Sequence, residues 1–280
     1  MSKKRSSAGR GNNQLAKRRR SKRRRVIFAL GVLFLMIGGG IIYGLQQGAV
    51  RISHIKVFGA DQSLAEIART AMKGSYFDII PRDSTFFFPA SRIRADIITA
   101  YPNVAAVSLF RNGLSGLSIR VDDRAPVARW CGVTLGATTT PLDTTKCYFF
   151  DSSGFIYATT STAQPVNSFA VYEPIITSSE GSTSPEYPIG ATLQNADKLP
   201  ITFDFARQLA IFGSPVSLIV IHNGEVDAYL ASGTRVTYML GDENSVFAEL
   251  MSARADFNLA DGSVLYLDLR FSGKIYLKKK

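Results

Sequence analysis

Val26 to Leu45 reads VIFALGVLFLMIGGGIIYGL, twenty apolar or small residues with no charge, and the next charge is Arg51. At ~1.5 Å of rise per residue such a run matches the ~30 Å hydrocarbon core of a bilayer, so it predicts one transmembrane helix. A cleaved secretory signal is the competing reading, but its apolar region spans only ~7 to 15 residues before a small-x-small site. Gln46-Gln47-Gly48-Ala49 is a poor site of that kind, and an uncleaved anchor is expected. Within it, Gly40 and Gly44 form a G-x-x-x-G that Gly48 continues. This spacing lets helices approach closely in lipid, although glycine is common in membrane helices without such a role.

Working outward, residues 1–25 carry 12 basic side chains and no acid. The chain as a whole has 33 Lys+Arg and 22 Asp+Glu, so residues 26–280 hold 21 basic against 22 acidic, a net of −1. The formal +11 therefore belongs to a tail, which excludes a basic nucleic-acid-binding domain in the folded part. Basic flanks are retained on the cytoplasmic side, which puts the tail inside and residues 51–280 outside. A nucleic-acid arm is the sharper reading of the tail, but it has no aromatic residue for base stacking. Topology and attraction to anionic headgroups are the expected roles, with the membrane and not a nucleic acid as partner.

Beyond the span, Arg51 to Phe58 alternates and is β-branched, which predicts a strand closed by Gly59. Ser63-Leu64-Ala65-Glu66 has capping-box spacing and opens a helix from about Leu64 to Lys73, ended by Gly74. Tyr76 to Pro89 reads as a loop with an apolar plug, Phe86-Phe87-Phe88. Ser91 to Ala100 has helical spacing and stops at Pro102. Strands Val104–Arg111 and Leu114–Asp122 flank Asn112-Gly113, a hairpin signal. The result is a β-α-α-β-β unit whose two helices can share one sheet face.

After Asp122 the pattern is mostly β. Ala125–Cys131 and Cys147–Ala158 are candidate strands separated by a Thr-rich stretch, the second turning at Asp151-Ser152-Ser153-Gly154. Thr159–Pro188 reads as a Ser/Thr/Pro-rich loop and Ile201–Phe212 as a helix. Strands are expected over Val216–His222, Glu225–Leu230 and Arg235–Leu240, then a helix from Asp242 to about Phe257 with acids in its first turn. Ser263–Phe271 and Lys274–Leu277 read as extended. The expected class is α+β: a single N-terminal membrane helix, the β-α-α-β-β module, and a β-rich domain with a mixed or antiparallel sheet and flanking helices. The expected divisions are 1–25, 26–50, 51–122 and 123–280.

Catalytic or metal chemistry would have to be built from two histidines and two cysteines. His54 and His222 have no triad or ligand partner at telling spacing. Asp122/Asp123 and Asp242/Glu243 fit turns and a helix start better than acid/base pairs. No H-E-x-x-H, G-x-S-x-G or phosphate-binding glycine loop occurs. Neither an enzyme nor a cofactor is expected. Cys131 and Cys147, outside the membrane, leave two readings: a disulfide between paired strands, or two buried free thiols.

Five motifs follow in order: Ile55-Lys56-Val57-Phe58-Gly59, Tyr101-Pro102-Asn103-Val104, Asp123-Arg124-Ala125-Pro126-Val127-Ala128-Arg129-Trp130, Tyr148-Phe149-Phe150-Asp151-Ser152-Ser153-Gly154-Phe155-Ile156-Tyr157 and Leu267-Asp268-Leu269-Arg270-Phe271. Together they resemble the FtsQ/DivIB family of bacterial division proteins. The resemblance covers nearly the whole chain, with Asn103 where an aromatic is common and Asp123 in place of Glu. It implies that 51–122 is a POTRA module and 123–280 the family's β domain. It also implies a non-enzymatic divisome scaffold in the cytoplasmic membrane at the septum, which helps localise or regulate septal peptidoglycan synthesis.

The partners implied are a small bitopic coiled-coil protein of the FtsB/DivIC type, which adds a strand to the β domain, its FtsL-type companion, and other division proteins at the POTRA surface. Mapped residue by residue, the docking stretch is Arg270, Phe271, Ser272, Gly273, Lys274, Ile275, Tyr276 and Leu277. If regular, it would put Phe271, Ile275 and Leu277 on one face and Tyr276 on the other, whereas a turn at Ser272-Gly273 would change that facing. The plainer reading is a terminal strand blunted by Lys278, Lys279 and Lys280. Two other classes compete. A POTRA-containing transport module would need a cleaved signal and a following barrel. A membrane-anchored wall enzyme would need a catalytic constellation.

Overall fold

The computed structural model describes residues 11–133, 146–160, 165–176 and 188–280. Residues 1–10 of the basic tail, 134–145 of the Thr-rich stretch, and 161–164 and 177–187 of the Ser/Thr/Pro-rich loop lie outside the described residues. The protein is α+β, with one N-terminal apolar helix and a large mixed sheet. It divides into two compact units, 1–97 with 107–121 and 98–106 with 122–280. The division is thus not a single cut at 122/123, because 98–106 cluster with the second unit.

In the first unit, helix α1 runs Gly11–Gln46 and so continues the membrane-length segment back into the basic tail. Lys and Arg are good helix formers, and extending an existing helix is easier than nucleating one. The stretch Arg25–Gln46 is long and apolar enough to cross a membrane, and its large side chains are exposed. A 3-10 turn, Gly48–Val50, leads to strand β1, His54–Phe58, with Ile55 and Val57 facing inward.

Helix α2, Ser63–Ala71, buries Leu64, Ala65, Ala68 and Ala71 along one face. Its N-cap position is Gln62 and not Ser63. The Asp61 carboxylate accepts the Ser63 N–H at 2.9 Å, and Glu66 pairs with Arg69 at 2.6 Å. A two-stranded hairpin, β2 Ser75–Tyr76 with β3 Ile80–Pro81, occupies what reads as loop in the sequence. Helix α3, Ala90–Ala100, buries Ile93 and Ile97. Strands β4, Val104–Asn112, and β5, Gly116–Asp123, complete a sheet of order β1-β5-β4, with β1 and β5 parallel. The Phe86-Phe87-Phe88 plug is not buried: Phe86 and Phe87 are about half exposed, and Arg111 stacks over the Phe86 ring.

The second unit is a nine-stranded sheet. Its strands are β6 Ala128–Gly132, β7 Tyr148–Phe150, β8 Ile156–Thr159, β9 Ala170–Tyr172, β12 Val216–His222, β13 Glu225–Leu230, β14 Arg235–Met239, β15 Val264–Asp268 and β16 Tyr276–Lys279. A small pair, β10 Ile175–Ile176 and β11 Thr192–Leu193, lies outside it. The sheet order is β16-β15-β14-β13-β12-β9-β6-β7-β8. It is mixed: β9 runs parallel to both β6 and β12, β14 is parallel to β15, and the remaining pairs are antiparallel. The loop expected over 159–188 therefore fails at Phe169–Tyr172, a short buried run that supplies β9, an inner strand of the sheet.

Alternation sends Ile219, Ile221, Val226, Ala228, Val236, Tyr238 and Leu267 into one core. That core also takes Phe203, Phe205 and Leu209 of α4, Leu199–Leu209, and Val246 and Leu250 of α5, Glu243–Ser252. Glu243, at the start of α5, is itself buried, accepting hydrogen bonds from Thr202 Oγ1 at 2.9 Å and the Gly241 amide at 3.0 Å. The other face of the sheet is apolar around Tyr172, Val220 and the two cysteines. Cys131 and Cys147 are joined by a disulfide across β6 and the start of β7. The Trp130 indole donates to the Glu173 carbonyl at 2.9 Å. The Glu173 carboxyl is fully buried against Asn195, and burial raises its pKa above the ordinary glutamate value.

Arg124 ties three distant segments of this unit together. Its amide donates to Asn103 O at 2.8 Å and its Nε to Pro102 O at 2.9 Å. Its Nη1 pairs with Asp151, and its guanidinium lies 4.2 Å from the centre of the Phe155 ring. Asp151 also holds its own turn, with Oδ1 accepting from the Ser153 amide at 2.8 Å, Ser153 Oγ at 2.6 Å and the Phe155 amide at 3.2 Å. Gly154 completes the turn at φ 76°, where an added Cβ would stand 2.6 Å from Ala196 Cβ. Burial pushes the Asp151 pKa up, but the bonds from Ser153, Arg124 and the two amides outweigh it and hold the carboxyl below the ordinary aspartate value.

Two outcomes follow. Cys131→Ala/Cys147→Ala opens a cross-link between residues 16 apart, so it should cost ~3 kcal/mol on the chain-entropy account. A lowered urea midpoint, read from the fluorescence of buried Trp130, checks this. Asp151→Asn should cost about 2 kcal/mol at neutral pH. Because the native pKa is depressed, this contribution is complete above the unfolded value of ~4 and fades as pH falls through the native one. Urea midpoints of the two proteins should therefore converge in acid.

Candidate functional site

The two ends of the nine-stranded sheet differ. At β8 the edge is occupied: Ile156 donates to Ala191 O at 2.9 Å, Gly190 donates to Ile156 O at 2.8 Å, and Phe155 bridges Thr192. At the other end β16 pairs only with β15, and no strand lies on its outer side among the described residues. An open edge presents backbone N–H and C=O groups to a tenth strand.

The stretch from Arg270 to Leu277 builds this edge, but not as one regular strand. Phe271 to Lys274 is a turn, with the Lys274 amide donating to Phe271 O at 3.0 Å and Gly273 at φ 72°. The Gly273 amide donates to Glu249 Oε1 of α5 at 2.8 Å, which pins the turn to the helix layer. Glycine suits the left-handed position, so the turn is built into the sequence at Ser272-Gly273.

The turn changes the facing expected for a continuous strand. Ile275 and Leu277 pack against the core, and Leu277 pairs with core residue Leu267. Tyr276 pairs with Asp268 on the opposite face. Phe271 does not join Ile275 and Leu277: it is 52% exposed and meets Tyr276, 50% exposed, edge-to-face at 5.6 Å between ring centres. Beside the open edge there is thus a paired aromatic platform, which two half-exposed rings could offer to a side chain of an incoming strand.

A charged network fixes the start of the turn. Arg270 donates to Asp268 through Nε at 2.9 Å and Nη2 at 2.6 Å, and to Glu225 Oε1 through Nη1 at 2.9 Å. Hydrogen bonding to Arg270 holds the Asp268 pKa down, and the two carboxylates hold the Arg270 pKa up. The Leu267-Asp268-Leu269-Arg270-Phe271 motif therefore has a structural job. Its leucines enter the core, Asp268 and Arg270 lock β15 to β13, and Phe271 starts the platform.

The same polar face continues inward. Asp227 Oδ2 meets His222 Nε2 at 3.2 Å and its Oδ1 accepts from Thr237 Oγ1 at 2.5 Å, with Arg235 at 3.9 Å. His222, which has no partner at telling spacing in the sequence, finds one across the β12–β13 ladder five residues on. The ladder joins three neighbouring strands through one largely buried carboxylate. His54 lies apart on β1, exposed, with Ser53 Oγ 2.8 Å from its Nδ1. Gly40 and Gly44 lie on α1, where an added Cβ would meet nothing within 4 Å.

Sequence reasoning located the edge stretch and its motif but missed the Phe271–Tyr276 pair and the Arg270–Glu225 bridge. Both depend on how the Gly273 turn and the strand register bring distant residues together, and spacing carries no signal for that. Comparison of the chain with protein-family models and with curated proteins finds no match.

Proposed function

We propose that this chain is a single-pass, non-enzymatic scaffold of the bacterial divisome that holds FtsB/DivIC-like and FtsL-like bitopic proteins and so helps localise or regulate septal peptidoglycan synthesis. One observation carries the reading: β16 is an open edge with an aromatic pair beside it, while the opposite end of the sheet is covered. Strand addition at such an edge draws register from the backbone and selectivity from alternate side chains.

The membrane-length helix, the order strand, helix, helix, strand, strand in the first unit and the motif resemblance support the same reading. On this reading the first unit is a POTRA-like module that engages further division proteins, and Gly40 and Gly44 pack α1 against a partner helix in the cytoplasmic membrane. The N-terminus is cytoplasmic and the bulk is outside, at the septum. Tethering in one bilayer raises the effective concentration of each contact, so no single contact has to be tight.

The test compares membrane pull-downs of the intact protein with Phe271→Ser/Tyr276→Ser, which removes the two half-exposed rings and leaves Ile275 and Leu277 in the core. Loss of a central aromatic pair should cost ~2 kcal/mol of binding, roughly thirtyfold in Kd. A small coiled-coil partner should be retained by the intact protein and lost from the variant, with urea unfolding unchanged. Equal retention would sink the docking reading. Depletion should give unseptated chains or filaments, and normal division under depletion would sink the divisome reading itself.

A further inference from the structure

The exposed apolar side chains of the first unit are distributed unevenly. Between residues 51 and 122 seven large apolar side chains are exposed: Phe58, Phe77, Ile79, Phe86, Phe87, Phe110 and Leu114. Four of the seven belong to segments bonded directly to residues 46–50, where α1 ends, and Leu114 is joined to them through Thr85. Ile79 O lies 3.5 Å from the Gln46 side-chain amide, its donor. Thr85, which precedes Phe86 and Phe87, donates its amide to Val50 O at 3.0 Å. Thr85 Oγ1 donates to Leu114 O at 2.5 Å and lies 3.2 Å from Val50 O.

Phe77 is the most telling of them. It forms the tip of the β2–β3 hairpin together with Asp78, and both have positive φ, 51° and 57°. The Ile79 amide donates to Tyr76 O at 3.1 Å, so Phe77 and Asp78 are the two central residues of the turn. Such turns favour Asn and Gly, because a bulky side chain at positive φ is strained. Phe77 is nevertheless there, and it is 92% exposed. A strained backbone and an unburied phenyl ring are two costs at one residue. The polar neighbours suit a headgroup layer: Arg82 stacks over the Tyr76 ring at 5.2 Å, and Arg51 pairs with Asp83 at 3.3 Å.

We infer that Phe77, Ile79, Phe86, Phe87 and Leu114 form an apolar collar that lies in the outer leaflet of the bilayer crossed by α1. The occupant follows from position. The apolar run of α1 ends at Leu45, so Gln46 sits at the hydrocarbon boundary, and the hairpin bonded to Gln46 is at the depth where aromatic rings prefer to lie. Burial there removes the exposure of the Phe77 ring and accounts for an aromatic at a turn position where glycine is easier. The collar fixes the first unit against the membrane surface through several contacts and not through the short linker alone. This inference rests on α1 being a membrane anchor.

The test uses the full chain reconstituted in vesicles of phosphatidylethanolamine and phosphatidylglycerol, with or without lipids brominated near the top of the acyl chains. Single Trp reporters replace Phe77, Phe87, Phe58 and Phe34, and buried Trp130 supplies a constant background. Phe34→Trp, within the span, reports the anchor. Phe58→Trp, exposed at the opposite end of β1, is the control. Expected is loss of fluorescence on bromination for Phe34→Trp, Phe77→Trp and Phe87→Trp, and none for Phe58→Trp. If Phe34→Trp is quenched while either Phe77→Trp or Phe87→Trp matches Phe58→Trp, the collar is overturned and the anchor stands. If Phe34→Trp is not quenched, the anchor fails and the collar with it.

Discussion

The contact of Arg124 with Asp151 governs the second unit, because neither residue can be enclosed without the other. A buried guanidinium or carboxylate alone would be strongly destabilising, and each needs several hydrogen-bond partners to offset its lost hydration. Here the arginine satisfies Pro102 O and Asp151 and covers Phe155, while the aspartate collects its own turn amides. This one pair joins the segment before β4, the segment before β6 and the β7–β8 turn. The Tyr157 hydroxyl, donating to Arg124 O at 3.3 Å, extends the tie to β8.

From that corner the sheet extends toward β16, and its two faces divide the work. One face is sealed by α4 and α5 over an apolar core. The other is apolar near the disulfide and becomes polar across Asp227, Arg235, Asp268 and Arg270 as it nears the open end. A polar face with its charges already paired does not collapse onto other proteins indiscriminately. The features this face leaves unpaired are the backbone edge of β16 and the half-exposed Phe271–Tyr276 pair.

Much of the architecture was legible in the sequence because it is written in local chemistry. Asn112-Gly113 and Asn223-Gly224 mark turns that exist, Pro102 follows a real helix end, and the apolar run from Val26 is helical throughout. What escaped is non-local or against local preference. Phe77-Asp78 is a turn that no turn propensity announces, and β9 is three residues of apolar sequence within a polar region, held only by parallel neighbours on both sides. The five motifs were visible as strings. Their meaning was not, since Arg124 meets Asn103 and Asp151, which lie 21 and 27 positions away along the chain. At the candidate site the sequence left two facings open, and the structure takes the turn at Ser272-Gly273, where one glycine at positive φ turns Phe271 away from the residues that follow it.

Buried Glu173 gives the fold a chemical asymmetry. Its carboxyl takes two hydrogen bonds from Asn195 on Oε1 while Oε2 has no partner among the described residues, and burial favours the protonated form. The folded protein thus keeps a proton more tightly than the unfolded chain does, and this contribution, complete below the ordinary glutamate value, is lost as pH rises through the raised one. Asp151 has the opposite linkage and is weakened by acid. Two carboxyls in one unit therefore bound folding from opposite sides, so the proton acts as a ligand of the native state at one site and a competitor at the other.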